Sequence, residues 1–131
     1  MIEFFMPMQP PTTTHQQKQV RVVSGKPIFY EPDKVKAARS KLMGHLYNHV
    51  PDEPMKGPIQ LVVKWIYPMT KKSVDGQYKT TKPDLDNVQK LLLDSMTDLK
   101  FWKDDAEVSS MLVEKFHSGI PGIYIQINEL K

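Results

Sequence analysis

Apolar positions recur along this chain with a period of two, then of three to four, then of two again. Residues 2–6, "IEFFM", read as a short first strand that Pro7 stops. The next stretch is rich in Pro, Thr and Gln; it reads as a loop with a short β-ribbon at residues 20–23 and 28–30, turning at Ser24-Gly25. From Pro32, Val35, Ala38, Leu42, Leu46 and His49 recur at helical spacing until Pro51 and Pro54 end the helix. In "GPIQLVVKWIYPM", Ile59, Leu61, Val63 and Trp65 alternate as in a strand, and Val62 and Ile66 imply that its other face is partly covered. "TKKSVDGQYKTTKPD" holds nothing that builds a core, so it is expected to be an exposed loop around an Asp75-Gly76 turn. Val88, Leu91, Leu92, Met96 and Leu99 then fall on one helical stripe. A turn at residues 103–105 leads to a strand with Val108, Ser110, Leu112, Glu114 and Phe116 on one face, Met111 and Val113 on the other. After a Gly/Pro turn, Ile123, Ile125 and Ile127 alternate in a last strand.

The order is therefore β, ribbon, α, β, loop, α, β, β: an α+β domain with a mixed or antiparallel sheet and two main helices. At 131 residues the chain is one domain, 1–131, long enough to bury about two-thirds of its unfolded surface in a single core. There is no cysteine, which excludes disulfides and thiolate metal sites. The start, "MIEFFMPMQPP", has no basic n-region and reads as a poor signal peptide, and no apolar run approaches the roughly 20 residues of a membrane span. A cytoplasmic protein is expected.

Charge divides the chain unevenly. Residues 1–83 hold 13 Lys/Arg and 6 Asp/Glu, a net of +7, whereas residues 84–131 hold 5 and 9, a net of −4. The basic part includes Lys18, Arg21 and Lys26 around the ribbon and Lys71, Lys72, Lys79 and Lys82 in the loop, a pattern that suits a polyanion. An ordinary solvated surface would carry the same charges.

The acidic part opens with "KPDLDNVQK". Pro83 turns Lys82 away from helix, so Asp84-Leu85-Asp86 is expected to be extended, or bent as it enters the helix. In an extended stretch the two carboxylates share a face about 6–7 Å apart at the backbone, with Leu85 anchored in the core. Such a pair can converge on one hard cation, and magnesium, which keeps several waters, needs few protein ligands. The alternative is plain capping, because Asp suits a helix N-terminus; one carboxylate suffices for that, which leaves the other surplus. A second pair, Asp104-Asp105, follows the helix; a short turn could return it toward the sheet face beside Asp84 and Asp86, which spacing alone does not decide. Lys90, four residues after Asp86, is either an i,i+4 surface ion pair or a cation for a transition-state charge. Asp94 is expected to pair with Lys90, and Leu93 is either a lone exposed leucine or a subunit contact. His15, His45, His49 and His117 form no zinc set, no serine elbow or glycine-rich phosphate loop is present, and Phe101-Trp102 is expected to pack the turn onto the core.

"DLDNVQKLLLDSMTD" followed by "FWKDDAEV" resembles the RusA family of Holliday junction resolvases, common in bacteria and their prophages. The dense match runs from Asp84 to Val108. The resemblance places the family's three metal-binding aspartates on Asp84, Asp86 and Asp105, its catalytic lysine on Lys90 and its motif asparagine on Asn87. It implies a homodimeric, Mg2+-dependent endonuclease, with Mn2+ as a substitute, that resolves four-way DNA junctions in recombination and repair by paired symmetric nicks leaving 5′-phosphates. Lys18, Arg21, Lys71, Lys72, Lys79 and Lys82 would then contact DNA phosphates. Two other classes fit parts of the pattern: a DNA-binding module without catalysis, and a metal-dependent phosphohydrolase of small substrates, which would have little use for so long a basic surface.

Overall fold

The computed structural model describes residues 1–12, 19–23, 25–30 and 33–131; for the ribbon strands only the backbone is described. The chain runs β1 (Ile2–Pro7), β2 (Gln19–Val23), β3 (Lys26–Tyr30), α1 (Asp33–Leu46) with a 3-10 turn at Tyr47–His49, β4 (Ile59–Pro68), α2 (Leu85–Asp98), a 3-10 turn at Asp105–Glu107, β5 (Val108–Ser118) and β6 (Gly122–Glu129). β2 and β3 pair by themselves as an antiparallel ribbon, with Val23 opposite Lys26. The other four strands form one sheet in the order β1-β6-β4-β5.

The sheet is mixed. β4 and β5 are parallel, and α2 lies in the connection between them, as a parallel pair requires; β6 runs antiparallel to β4, and β1 antiparallel to β6. Alternation along β4 does what the sequence implies: Ile59, Leu61, Val63, Trp65 and Tyr67 are buried and the residues between them half-buried. Ile123, Ile125 and Ile127 of β6 join them on that face. Val88, Leu91, Leu92 and Met96 of α2, and Val35, Leu42 and Leu46 of α1, complete one core. Each such side chain contributes about 1.5–3 kcal/mol on leaving water, before the entropy of ordering it is set against the gain.

Both buried tryptophans of this core find hydrogen-bond partners. Trp65 Nε1 donates to Gln89 Oε1 at 2.9 Å, which ties α2 to β4. Phe101 and Trp102 are fully buried, and Trp102 Nε1 donates to Thr97 Oγ1 at 2.8 Å, so they pack the turn onto the core as expected. Leu93 is not a lone exposed leucine: it is partly buried against the core. His49 stacks on Phe4 at a centroid distance of 4.1 Å, and the buried His117 bonds through Nδ1 to the carbonyl of Pro68. His15 lies outside the described residues.

β5 is an edge strand, and one half of its outer edge is covered. His117 N donates to Gln77 O at 2.9 Å, and Lys79 N donates to Lys115 O at 3.0 Å, which clips residues 76–79 of the basic loop to its C-terminal half. Asp75-Gly76 makes the turn there, with Gly76 at φ +84°, where a side chain would be strained. Beyond the clip, Met111 and Leu112 stand 48% and 53% exposed.

Candidate active site

α2 starts where the sequence places it. Asp84 is extended, with φ −67° and ψ 137°, and its carbonyl accepts the first helical bond from Val88 N at 3.2 Å. Of the two expected conformations the bent one is found: Leu85 and Asp86 are already helical, and Leu85 packs against the core. Asp84 stands at the N-cap, yet its side chain makes no capping bond. Its Oδ1 lies 3.2 Å from Lys82 Nζ instead, in a solvent-exposed pair of the kind worth under about 1 kcal/mol. Asp86 is exposed in the first turn.

Lys90 is exposed and makes no hydrogen bond or ion pair with any described residue. The pair expected with Asp94, and the surface pair with Asp86 that was one of the two alternatives, are therefore absent, and its ammonium is uncommitted among the described residues. Asp94 acts elsewhere. Its charge bears on Asp105, across the contact between α2 and the second 3-10 turn.

The two residues of the second acidic pair have separate tasks. Asp104 Oδ1 accepts from Ala106 N at 2.9 Å and so caps the 3-10 turn. Burial, then a hydrogen bond with Asp104, then the charges of Asp104 and Asp94, hold the Asp105 carboxyl above its ordinary value of 3.8. Asp84 and Asp86 are not among the charges that shift it. The chain thus carries Asp84 and Asp86 at the mouth of α2, and Asp94, Asp104 and Asp105 beside its C-terminal half. Among the described residues no three acidic or histidine side chains gather closely enough to hold a metal ion. The available donors are carboxylate oxygens, the chemistry that suits a hard cation.

The basic loop is less uniform than its sequence. Lys71 and Lys72 are exposed. Lys79 is committed: Nζ donates to Thr81 Oγ1 at 2.7 Å and lies 5.2 Å from the centroid of the Tyr67 ring, and burial and then Lys115 lower its pKa. Lys82 pairs with Asp84. Lys18 and the side chain of Arg21 lie outside the described residues.

One residue escaped the sequence reading altogether. Lys115 Nζ donates to the carbonyls of Thr81 and Pro83, both at 2.8 Å. It fixes the backbone that delivers Asp84 to the helix. A lone lysine in a strand carries no sign of this; the contact exists only once β5 lies beside the loop.

Comparison with known proteins gives the class first. The family model described as "Endodeoxyribonuclease RusA" matches residues 7–128. The chain is 33% identical over 130 residues to the crossover junction endodeoxyribonuclease rusA of Lactococcus phage r1t, covering 98% of each. It is 30% identical over 118 residues to the uncharacterized protein YqaN of Bacillus subtilis (strain 168), covering 82% of each. The class is that of hydrolytic endodeoxyribonucleases acting at crossover junctions. The chain belongs to the RusA family, and the α+β fold of two helices on a four-stranded mixed sheet is its fold. Among the described residues, no helix is long and apolar enough to cross a membrane.

Proposed function

We propose that this chain is a Mg2+-dependent resolvase that binds four-way DNA junctions as a homodimer and cuts them by paired symmetric nicks leaving 5′-phosphates. Asp84, Asp86 and Asp105 would hold the cation, with Mn2+ as an alternative, and Lys90 would assist. One observation carries this reading: Asp84 stands at the cap of α2 and does not cap it. Side-chain capping therefore does not account for it.

The bound cation would supply charge neutralisation of the phosphate and a more acidic water. Among the described residues no three carboxylates gather into a ready-made site; Mg2+ usually takes one or two carboxylates and completes its shell with water and substrate phosphate, so Asp105 would have to join Asp84 and Asp86 when cation and DNA bind. The protein's own groups do the rest. Lys90, one helical turn beyond Asp86 and uncommitted, offers its ammonium to a non-bridging phosphate oxygen. Lys115 orients the approach to Asp84. Lys71 and Lys72 contribute contacts to backbone phosphates that do not depend on sequence. Because its carboxyl sits above the ordinary value, Asp105 would be withdrawn as a donor earlier, as pH falls, than an exposed aspartate would.

The dimer reading rests on β5. Among the described residues nothing pairs with the outer edge of its N-terminal half, which carries the exposed Met111 and Leu112, and a junction with two-fold symmetry calls for an enzyme with the same symmetry. The test is cleavage of a synthetic four-way junction, with both strands of the cut mapped, in Mg2+ and in EDTA. Symmetric product in Mg2+ alone supports the reading. Tight junction binding without product in either Mg2+ or Mn2+ would make the protein a binding module.

A further inference from the structure

The 3-10 turn that carries Asp105 also forms one wall of a cavity of about 420 Å3, within the ~300–1,000 Å3 usual for small-ligand sites. Pro54 and the buried Met55 give it an apolar floor; the exposed Lys56, Lys103 and Glu53 stand around it, and Glu107 closes one side. The two walls are tied together, since Met55 N donates to Phe101 O at 2.7 Å.

Glu107 is held there by an unusual fit. Its Oε1 accepts from Gly57 N at 3.1 Å. A Cβ at Gly57 would lie 2.7 Å from Glu107 Cβ, so only glycine allows this approach. Glu107 Oε2 is buried and has no hydrogen-bond partner among the described residues, and neither Lys56 nor Lys103 forms an ion pair with it. A buried acceptor without a donor is unfavourable. The terminal carboxyl torsion of Glu is soft, so Oε2 can turn into the cavity while the stem stays in place.

We propose that this cavity receives an unstacked nucleobase that bears an exocyclic amino group, next to the cleaved phosphate, and that Glu107 accepts a hydrogen bond from that amine. The proposal rests on the junction-nuclease reading above and deepens it. A carboxylate accepts and does not donate. Cytosine N4 and adenine N6 therefore satisfy it, whereas thymine presents the O4 acceptor at the same edge and is repelled. Pro54 and Met55 meet the base face. Lys56 and Lys103 outnumber Glu53 at the mouth, which suits the flanking phosphates. Asp105 lies only two residues from Glu107, so base and cleaved phosphate belong to neighbouring nucleotides. Extrusion is least unfavourable where a base is already unpaired, as at a branch point.

The test is single-turnover cleavage on junctions that differ only in the nucleotides flanking the cut. Wild-type protein should cut beside C or A about tenfold faster than beside T. Replacing that base by its analogue without the amino group, 2-pyrimidinone for cytosine or purine for adenine, should remove the advantage. Glu107→Gln keeps the shape and the acceptor for Gly57 N while adding a donor. It should narrow the C-to-T ratio to within about threefold, with overall cleavage of mixed junctions retained. Lys103→Ala should weaken binding to all sequences alike. Equal wild-type rates on amino-bearing and amino-lacking bases would overturn the proposal whether or not Glu107→Gln folds. So would an unchanged C-to-T ratio in folded Glu107→Gln. A wild-type protein that cuts no junction at all is the distinct failure of the underlying nuclease reading.

Discussion

Lys115 on β5 reaches back to the carbonyl of Pro83 at 2.8 Å, one residue before Asp84. Its second bond, to Thr81 O at 2.8 Å, makes it a two-point clamp on the strand that enters α2. Removing the clamp with Lys115→Met keeps the aliphatic stem and deletes both bonds. Bonds to a charged donor in a half-exposed setting are worth about 1–2 kcal/mol together after solvent screening. The melting temperature should fall by a few degrees, and junction cleavage should fall by about tenfold or more because Asp84 is no longer held in place. Unchanged cleavage at a lowered melting temperature would reduce Lys115 to a stabilising residue.

Asp84→Asn, Asp86→Asn and Asp105→Asn should each retain folding and junction binding and lose cleavage. Asn keeps the shape and loses the charge that favours a cation. Gel-shift affinity and product formation, measured on the same preparations, separate the two effects. Asp104→Asn is the contrast: its role is the bond from Ala106 N, which Asn also accepts, so cleavage should stay within about threefold of wild type. Full activity in Asp105→Asn with loss in Asp104→Asn would exchange their assignments.

Lys90 has no partner to lose among the described residues. Lys90→Ala should therefore leave the melting temperature nearly unchanged and lower single-turnover cleavage by about 100-fold or more, the scale seen when one transition-state charge partner is removed. Lys90→Arg should restore binding and only part of the rate, because a planar guanidinium replaces a compact ammonium. Cleavage by Lys90→Ala within about threefold of wild type would make the lysine a bystander.

The raised pKa of Asp105 has a pH signature in metal-free protein. Folding lifts this carboxyl above the 3.8 it has when exposed, so its protonated form is favoured in the native state. Its contribution to stability is complete below 3.8 and is lost as pH rises through the higher, folded value. In EDTA, Asp105→Asn should accordingly melt higher than wild type at neutral pH, with the gap closing toward pH 3.8. Melting curves from pH 3 to 8 check this; a gap independent of pH would mean that the charge of Asp105 is not what matters.

Within the basic loop, the exposed Lys71 and Lys72 should contribute most to DNA affinity. Each Ala substitution should lower the salt slope of junction binding by about one unit or less, alike for all sequences. Lys79→Ala should act mainly through lost packing on Tyr67 and the lost bond to Thr81, with a smaller change in slope. Equal slopes for all these variants would contradict the division.

Element types were legible because periodicity is local. The alternation at Ile59–Trp65 and the stripe from Val88 to Met96 each report one buried face, and both faces are buried. The motif from Asp84 to Val108 likewise carried the family. What could not be read was any relationship set by strand order. The parallel pairing of β4 and β5 brings Lys115 to Pro83, and the packing of α2 on the second 3-10 turn brings the charge of Asp94 to bear on Asp105. Helical spacing made Lys90 and Asp94 look like partners, but an i,i+4 pair is worth only about 0.3–0.5 kcal/mol, too little to hold two exposed side chains together.

The clip between residues 76–79 and the outer edge of β5 also bears on kinetics. A loose lysine-rich loop would have to be ordered by each DNA it met, and the lost freedom would slow productive encounters. Here the backbone beneath Lys79 is already hydrogen-bonded to the sheet, so, if the loop binds DNA as proposed, this part of its positive field would sit on a fixed support before DNA arrives. Capture would then be governed by diffusion in that field, and added salt should act chiefly on the association rate.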